Sequence, residues 1–179
     1  IAAPLARLVA IGADPLVNAT LINIGKIITQ ATAQSPTIMA IILGGVITVV
    51  ATAPLSSMAL TAMLGLTGLP MAIGALSVMG SSFMNAVFFH KIFKDKSTTI
   101  AVAVEPLTQA DLISANPIPV YCTNFAGGAI AGLIVTHFGL INNAAGTATP
   151  IAGLMVMYGF NSPLKVTIAA ALCAVAGLA

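Results

Sequence analysis

Pro36-Thr-Ile-Met-Ala-Ile-Ile-Leu-Gly-Gly-Val-Ile-Thr-Val-Val50 carries no charged side chain and only two hydroxyls. It belongs to a longer run, residues 27–90, in which 64 positions pass without Asp, Glu, Lys or Arg. A second run of 53 such residues lies between Asp111 and Lys165. A helix that crosses a bilayer needs about 20 mostly apolar residues. The first run therefore has room for two or three spans and the second for about two.

Composition points the same way. Charged residues are 6% of the 179, against about 25% in an ordinary soluble domain, and the mean hydropathy is +1.08. A soluble globule of this size could not cover its surface with so few polar groups. The expectation is an all-α, polytopic transmembrane helical bundle with broken or re-entrant segments, forming one transmembrane domain over residues 1–179. The net charge of +2, without a basic stripe or interleaved aromatics, excludes a nucleic-acid partner. Cys122 and Cys173 both sit in apolar surroundings and read as small hydrophobes. No metal spacing, phosphate-binding fingerprint or nucleophile elbow occurs, so neither a cofactor nor a catalytic constellation is expected. The chain opens on Ile1, without an initiator Met, as a piece of a longer chain would.

Prolines and glycines divide the runs. Ala13-Asp14-Pro15 resembles a helix start with Asp14 as cap, and residues 16–28 suit a short helix. Residues 29–35 read as a turn, and Ser35-Pro36 as the next start. Pro54, Ser56 and Ser57 interrupt the following apolar stretch, giving one kinked helix or two half-length ones. A turn at 65–68 precedes a span over 70–89 whose Gly74, Ala75, Ser77, Gly80, Ser81 and Ala86 would let helices approach closely. His90-Lys-Ile-Phe-Lys-Asp-Lys96 concentrates the charge, which puts this loop on the cytoplasmic side. Residues 107–119 are too polar for a span and too apolar for an ordinary loop, as a broken segment packed inside protein would be. Spans or part-spans follow at 120–140, 151–160 and 163–179. The Gly-Gly pairs at 44–45 and 127–128 hint at an internal repeat.

Glu105, Gln109 and Asp111 form the most informative polar cluster, at i, i+4 and i+6 around Pro106. An ionisable group at membrane depth costs about 2.5 kcal/mol or more and so faces a cavity or a partner. Carboxylates and an amide in this pattern can accept from the hydroxyls of a sugar-like solute. The same residues would simply be solvated if the segment surfaces, and Asp111 could equally cap a helix at Leu112. His90 suits the membrane interface or a substrate-handling role. Asn85 and Asn124 lie within spans and Asn116 beside the broken segment. All three can bind hydroxyls or join helices, as can Asn142 and Asn143. His137 reads as a packing residue.

Several phrases resemble the EIIC-like membrane component of the bacterial phosphotransferase system. They are Gly80-Ser-Ser-Phe-Met-Asn-Ala-Val-Phe-Phe-His90, Ala103-Val-Glu-Pro-Leu-Thr-Gln-Ala-Asp111, Asn116-Pro-Ile-Pro119, Asn124-Phe-Ala-Gly-Gly128 and Thr147-Ala-Thr-Pro-Ile-Ala-Gly153. The likeness runs from about residue 21 to the end. It implies a multi-pass permease of the inner (plasma) membrane that binds a sugar or polyol, which a cytoplasmic phosphocarrier protein then phosphorylates. Glu105-Pro106 resembles the Glu-Pro element of the family's sugar site, and His90 is the nearest histidine candidate. The chain departs from the complete pattern in having no hydrophilic domain with a phosphorylatable Cys or His, and in spanning about half of a complete permease. The expected partners are the lipid bilayer, a sugar-like solute, the phosphocarrier protein and a second copy of the chain in a homodimer. The competing reading is a non-transporting membrane sensor, regulatory or scaffold module.

Overall fold

Prolines and short polar side chains start the helices of this computed structural model, which describes residues 11–16, 18–20, 22–23, 26–27, 30, 35–53 and 55–178. Helix α1 (Pro36–Thr52) begins on Pro36, with the Ser35 hydroxyl accepting from the Ile38 amide at 3.3 Å. Proline is suited to a first helical position because the amide it lacks would have no partner there. Helices α6 (Pro117–Phe138), α7 (Pro150–Phe160) and α8 (Pro163–Leu178) also begin on proline. The short α2 (Ser57–Met63) is capped by Ser56, which accepts from the Ala59 amide at 3.1 Å. Between them lie α3 (Gly68–Phe93), α4 (Lys96–Val104), a 3-10 turn at Pro106–Gln109 and α5 (Ala110–Ala115). Apart from an isolated bridge between Gly68 and Asn142, the regular structure of the described residues is helical.

Several boundaries differ from the sequence reading. Residues 11–16 are all helical, so the chain is helical before Asp14 rather than starting there. The expected turn at 29–35 falls largely outside the described residues. The Pro54 interruption makes two helices, not one kinked one: α1 stops at Thr52 and α2 starts at Ser57. The expected lysine loop is mostly helical. His90 and Lys91 lie in the last turn of α3, only Lys94 and Asp95 form the turn, and Lys96 already opens α4. Lys94 closes α3 in the left-handed conformation (φ 53°). Asp95 then caps α4, accepting from the Thr98 hydroxyl at 2.6 Å and the Thr98 amide at 2.7 Å. These bonds, the hydroxyl's first, hold the Asp95 carboxyl below its ordinary value.

Helix α3 is the centre of the packing. It meets α1, α4, α6, α7 and α8, and every residue from Met71 to Ser82 is buried. Among the described residues, helices α3 and α6 are the two that are long and apolar enough to cross a membrane. The closest approach is between α1 and α6, which run antiparallel with Gly44 against Gly128 and Ala40 against Gly132. A Cβ on Gly128 would collide with the Gly44 carbonyl oxygen and the Thr48 hydroxyl, and one on Gly132 with the Ala40 carbonyl oxygen. While Gly45 packs on Phe125 and Gly127 on Met84 of α3, one glycine of each Gly-Gly pair, Gly44 and Gly128, therefore faces the other across this seam. Polar bonds lock it: Thr48 Oγ1 donates across the seam to the Asn124 carbonyl (2.9 Å), and Asn124 Nδ2 donates to Thr52 Oγ1 (3.0 Å). Helix α3 joins through Ser77 Oγ, which donates to the Gly128 carbonyl at 3.0 Å.

The loop after α6 is pinned by amides. The Asn142 amide donates to the Gly68 carbonyl at 3.0 Å, and Asn143 Oδ1 accepts from the Gly68 amide at 3.2 Å. Asn161 clamps the Ile141 backbone from both sides, at 2.8 and 2.7 Å. His137 is exposed and edge-on to Phe138, at 5.7 Å between ring centres, rather than packed inside.

The Gly128 contact gives a direct stability test. Gly128→Ala is expected to destabilise the protein in micelles by about 1–3 kcal/mol, as overpacking does. Gly159 is exposed on α7 and has nothing within 4 Å of its added Cβ. Gly159→Ala is expected to be neutral or to stabilise by about 0.5–1 kcal/mol through helix propensity. Chemical unfolding of the two variants side by side checks the contrast.

Candidate functional site

Three interruptions of the helical chain meet around Glu105. Helix α4 ends at Val104, and Glu105 turns to extended backbone (φ −151°, ψ 101°) ahead of Pro106. The break between α1 and α2 supplies Ser56 and Ser57, and the pinned loop delivers Thr149 at the start of α7. A cavity of about 110 Å³ is lined by Ser56, Ser57, Glu105, Leu107 and Thr149 among others. A neighbouring cavity of about 360 Å³ is lined by Met58, Val104, Glu105, Thr149, Ile151 and Ala152. Met58, Glu105 and Thr149 are common to both.

The side chains on this wall are unequally committed. Ser57 Oγ donates to the Ala148 carbonyl at 2.9 Å, which ties the start of α2 to the loop before α7. Thr149 precedes α7 as its cap residue but makes no capping bond, and its Oγ1 is buried without a partner. The start of α7 lines the same cavity as Glu105 through Ile151 and Ala152, and the positive end of a helix complements a carboxylate. Between them the two cavities offer one half-buried carboxylate and Thr149, with the serine pair in the smaller and apolar faces from Met58 and Ile151 in the larger.

Its depth follows from α4. Ala103 and Val104 share an apolar cavity of about 280 Å³ with Met79 and Phe83, in the middle of the 26-residue α3. Glu105 thus stands level with the middle of the longest apolar helix, not at its end.

The other sequence-selected residues are dispersed. Gln109 is half-buried and precedes α5, whereas Asp111 is exposed in its first turn, not the cap of a helix at Leu112. The i, i+4, i+6 spacing does not gather them with Glu105, because the backbone passes from extended to 3-10 to α within five residues. Asn116 is exposed, on the wall of a separate cavity near the end of α3. His90 is exposed at that same end. Thr149, Ser56 and Ser57 were not singled out from sequence, where hydroxyls beside helix starts read as turn and capping residues. The available signal was Thr149-Pro150: a threonine just before proline, set after an Asn-rich loop.

Asn85 and Asn124 are fully buried on α3 and α6. Asn124 uses its amide nitrogen on Thr52, but its Oδ1 has no partner, and neither side-chain atom of Asn85 has one. A buried polar group left unpaired costs about 1–3 kcal/mol. Asn85→Leu is therefore expected to raise stability by about that amount in thermal unfolding. A decrease instead would show that the amide holds the helices together.

The sequence profile of the family described as "Phosphotransferase system, EIIC" matches residues 1–179. No curated protein and no solved structure gives a match. The match covers the whole chain, including the charge-free runs and the Glu-Pro break. The chain belongs to the EIIC family of the phosphotransferase system, the membrane component of that system.

Proposed function

We propose that this chain forms the solute-binding part of a permease for a sugar or polyol, with the Glu105 cavity as its solute site. The observation that carries this reading is that Glu105 and Thr149, whose buried Oγ1 has no partner, line the same two cavities. The larger, about 360 Å³, falls within the range of small-molecule sites, about 300–1,000 Å³. Solute hydroxyls would donate to the Glu105 carboxylate and exchange hydrogen bonds with Thr149 and Ser56. The solute's C–H faces would rest on Met58 and Ile151.

Alternating access would use the breaks. Ser57 ties α2 to Ala148 in the loop that leads into α7, and α2 and α7 would move as a pair about the interruption after Thr52. In transporters, solute sites at mid-membrane are commonly framed by such discontinuous helices. Gln109 borders the segment that would shift. Asn85 and Asn124 would be polar groups available to a rearranged seam, and Asp111, Asn116 and His90 would belong to the solvent-facing end. In this reading the domain is a multi-pass bundle of the plasma membrane within a longer permease, acting as a homodimer with the Lys91–Lys96 end in the cytoplasm. A separate phosphocarrier protein would supply the phosphoryl group.

Liposomes containing the protein that carries this chain, offered a panel of sugars and polyols, test the site. At least one solute is expected to bind. Glu105→Gln is expected to weaken it about tenfold or more, as loss of a charge-assisted hydrogen bond does. Thr149→Val is expected to weaken it about threefold to tenfold. If no solute binds or moves and neither substitution changes anything, the permease reading fails and a non-transporting membrane module replaces it.

A further inference from the structure

The end of α3 carries a second feature that the solute reading does not use. Phe88, Phe89, Ile92 and Phe93 from α3, with Asn116, Pro119 and Val120 from the start of α6, enclose a cavity of about 170 Å³. The phenyl rings of Phe89 and Phe93 meet at a tilt of 46°, with ring centres 5.3 Å apart. Beyond Asn116 the wall is apolar or aromatic. A cavity of about this size in an apolar core accepts a benzene-sized hydrocarbon.

The charges at this end are mostly positive. Lys91 precedes and Lys94 follows the lining pair Ile92–Phe93, and His90, Lys91, Lys94 and Lys96 are all exposed. Asp95 is engaged by Thr98 at the start of α4, which leaves Asp111, beside the lining residue Leu112, as the opposing carboxylate. The positive end of the 22-residue α6 opens on the same cavity through its cap residue Asn116. Depth agrees as well. The 26 residues of α3 extend roughly 39 Å at 1.5 Å per residue, more than the ~30 Å of a hydrocarbon core. Its last turn therefore reaches the layer of lipid phosphates.

We propose that this aromatic cavity, with the Lys91, Lys94 and Lys96 cluster beside it, binds one anionic phospholipid. An acyl chain enters between Phe89, Phe93 and Val120, and the lysines hold the phosphate. A hydrocarbon slot alone would take any lipid, and lysines alone would take any phosphate. The pairing of the two selects a lipid with net negative charge. Basic side chains next to a membrane attract such headgroups. This inference rests on the chain being a membrane component and is independent of the Glu105 site.

Native mass spectrometry of the purified protein, titrated with phosphatidylglycerol and with phosphatidylcholine of the same acyl chains, tests it. One phosphatidylglycerol is expected to be retained with at least about tenfold preference. The combined Lys91→Gln, Lys94→Gln and Lys96→Gln variant is expected to lose that preference. Ile92→Trp, at an exposed lining position, is expected to reduce retention of both lipids by filling the slot. Lys165→Gln, on α8, is expected to change nothing. Equal retention of the two lipids, or a triple variant that still prefers phosphatidylglycerol, overturns the proposal. So does soluble glycerol phosphate competing as well as the lipid. If the lysine substitutions spare lipid retention but abolish binding of a phosphocarrier protein, the patch is a protein-docking surface and the lipid proposal falls.

Discussion

The backbone contact between α1 and α6 is the constraint on which the rest of the molecule depends. In a lipid surrounding, apolar side chains gain little by moving from acyl chains to each other, so helices associate through close fit and hydrogen bonds. Gly44, Gly128 and Gly132 provide the fit by presenting no Cβ where the facing backbone comes close. Thr48, Asn124 and Ser77 provide the bonds, two of them to backbone carbonyls of α6. With this seam fixed, the break after Thr52 is held at one depth, and α3 is fixed against both helices. The Glu105 cavity inherits its position from that arrangement, because Ala51 at the end of α1 is part of its wall.

The same economy of polar groups explains why the site is sparse. Most buried hydroxyls are spent within their own helices: Thr52 on Val49 and Thr48, Thr61 on Ser57, Ser82 on Val78. The side-chain amides of the 140s loop and Asn161 are spent on backbone and, for Asn142 Nδ2, on the Thr147 hydroxyl. Thr149, Asn85 and one oxygen of Asn124 are buried and left over. Of these, Thr149 stands beside a carboxylate, and it distinguishes the Glu105 cavity from the apolar one beside Met79 and Phe83.

Much of the helical order was legible in the sequence. The charge-free runs contain most of the long helices, and Ser35-Pro36 and Ser162-Pro163 mark helix starts because a proline fits a first turn. Partnering was not legible. Two Gly-Gly pairs look like a repeat in one dimension, and only three dimensions reveal that Gly44 of one meets Gly128 of the other while Gly127 turns to α3. The polar cluster was half legible. Glu105 was recognisable as a carboxylate beside a chain break, but Gln109 and Asp111 could be grouped with it only by assuming one regular backbone through Pro106. That proline and the short 3-10 turn send the three side chains to different surroundings. Thr149 was missed because a hydroxyl before a helix usually caps it, and here it does not.

The central claim is that a solute is held between the α1–α2 break, Glu105 and the start of α7. A structure of the protein soaked with a solute that it binds tests this most directly. The account predicts ligand density in the cavity shared by Met58, Glu105 and Thr149, with solute oxygens about 2.6–3.2 Å from the Glu105 carboxylate and Thr149 Oγ1. Density in another cavity, with the Glu105 carboxylate touching no part of the solute, would contradict it.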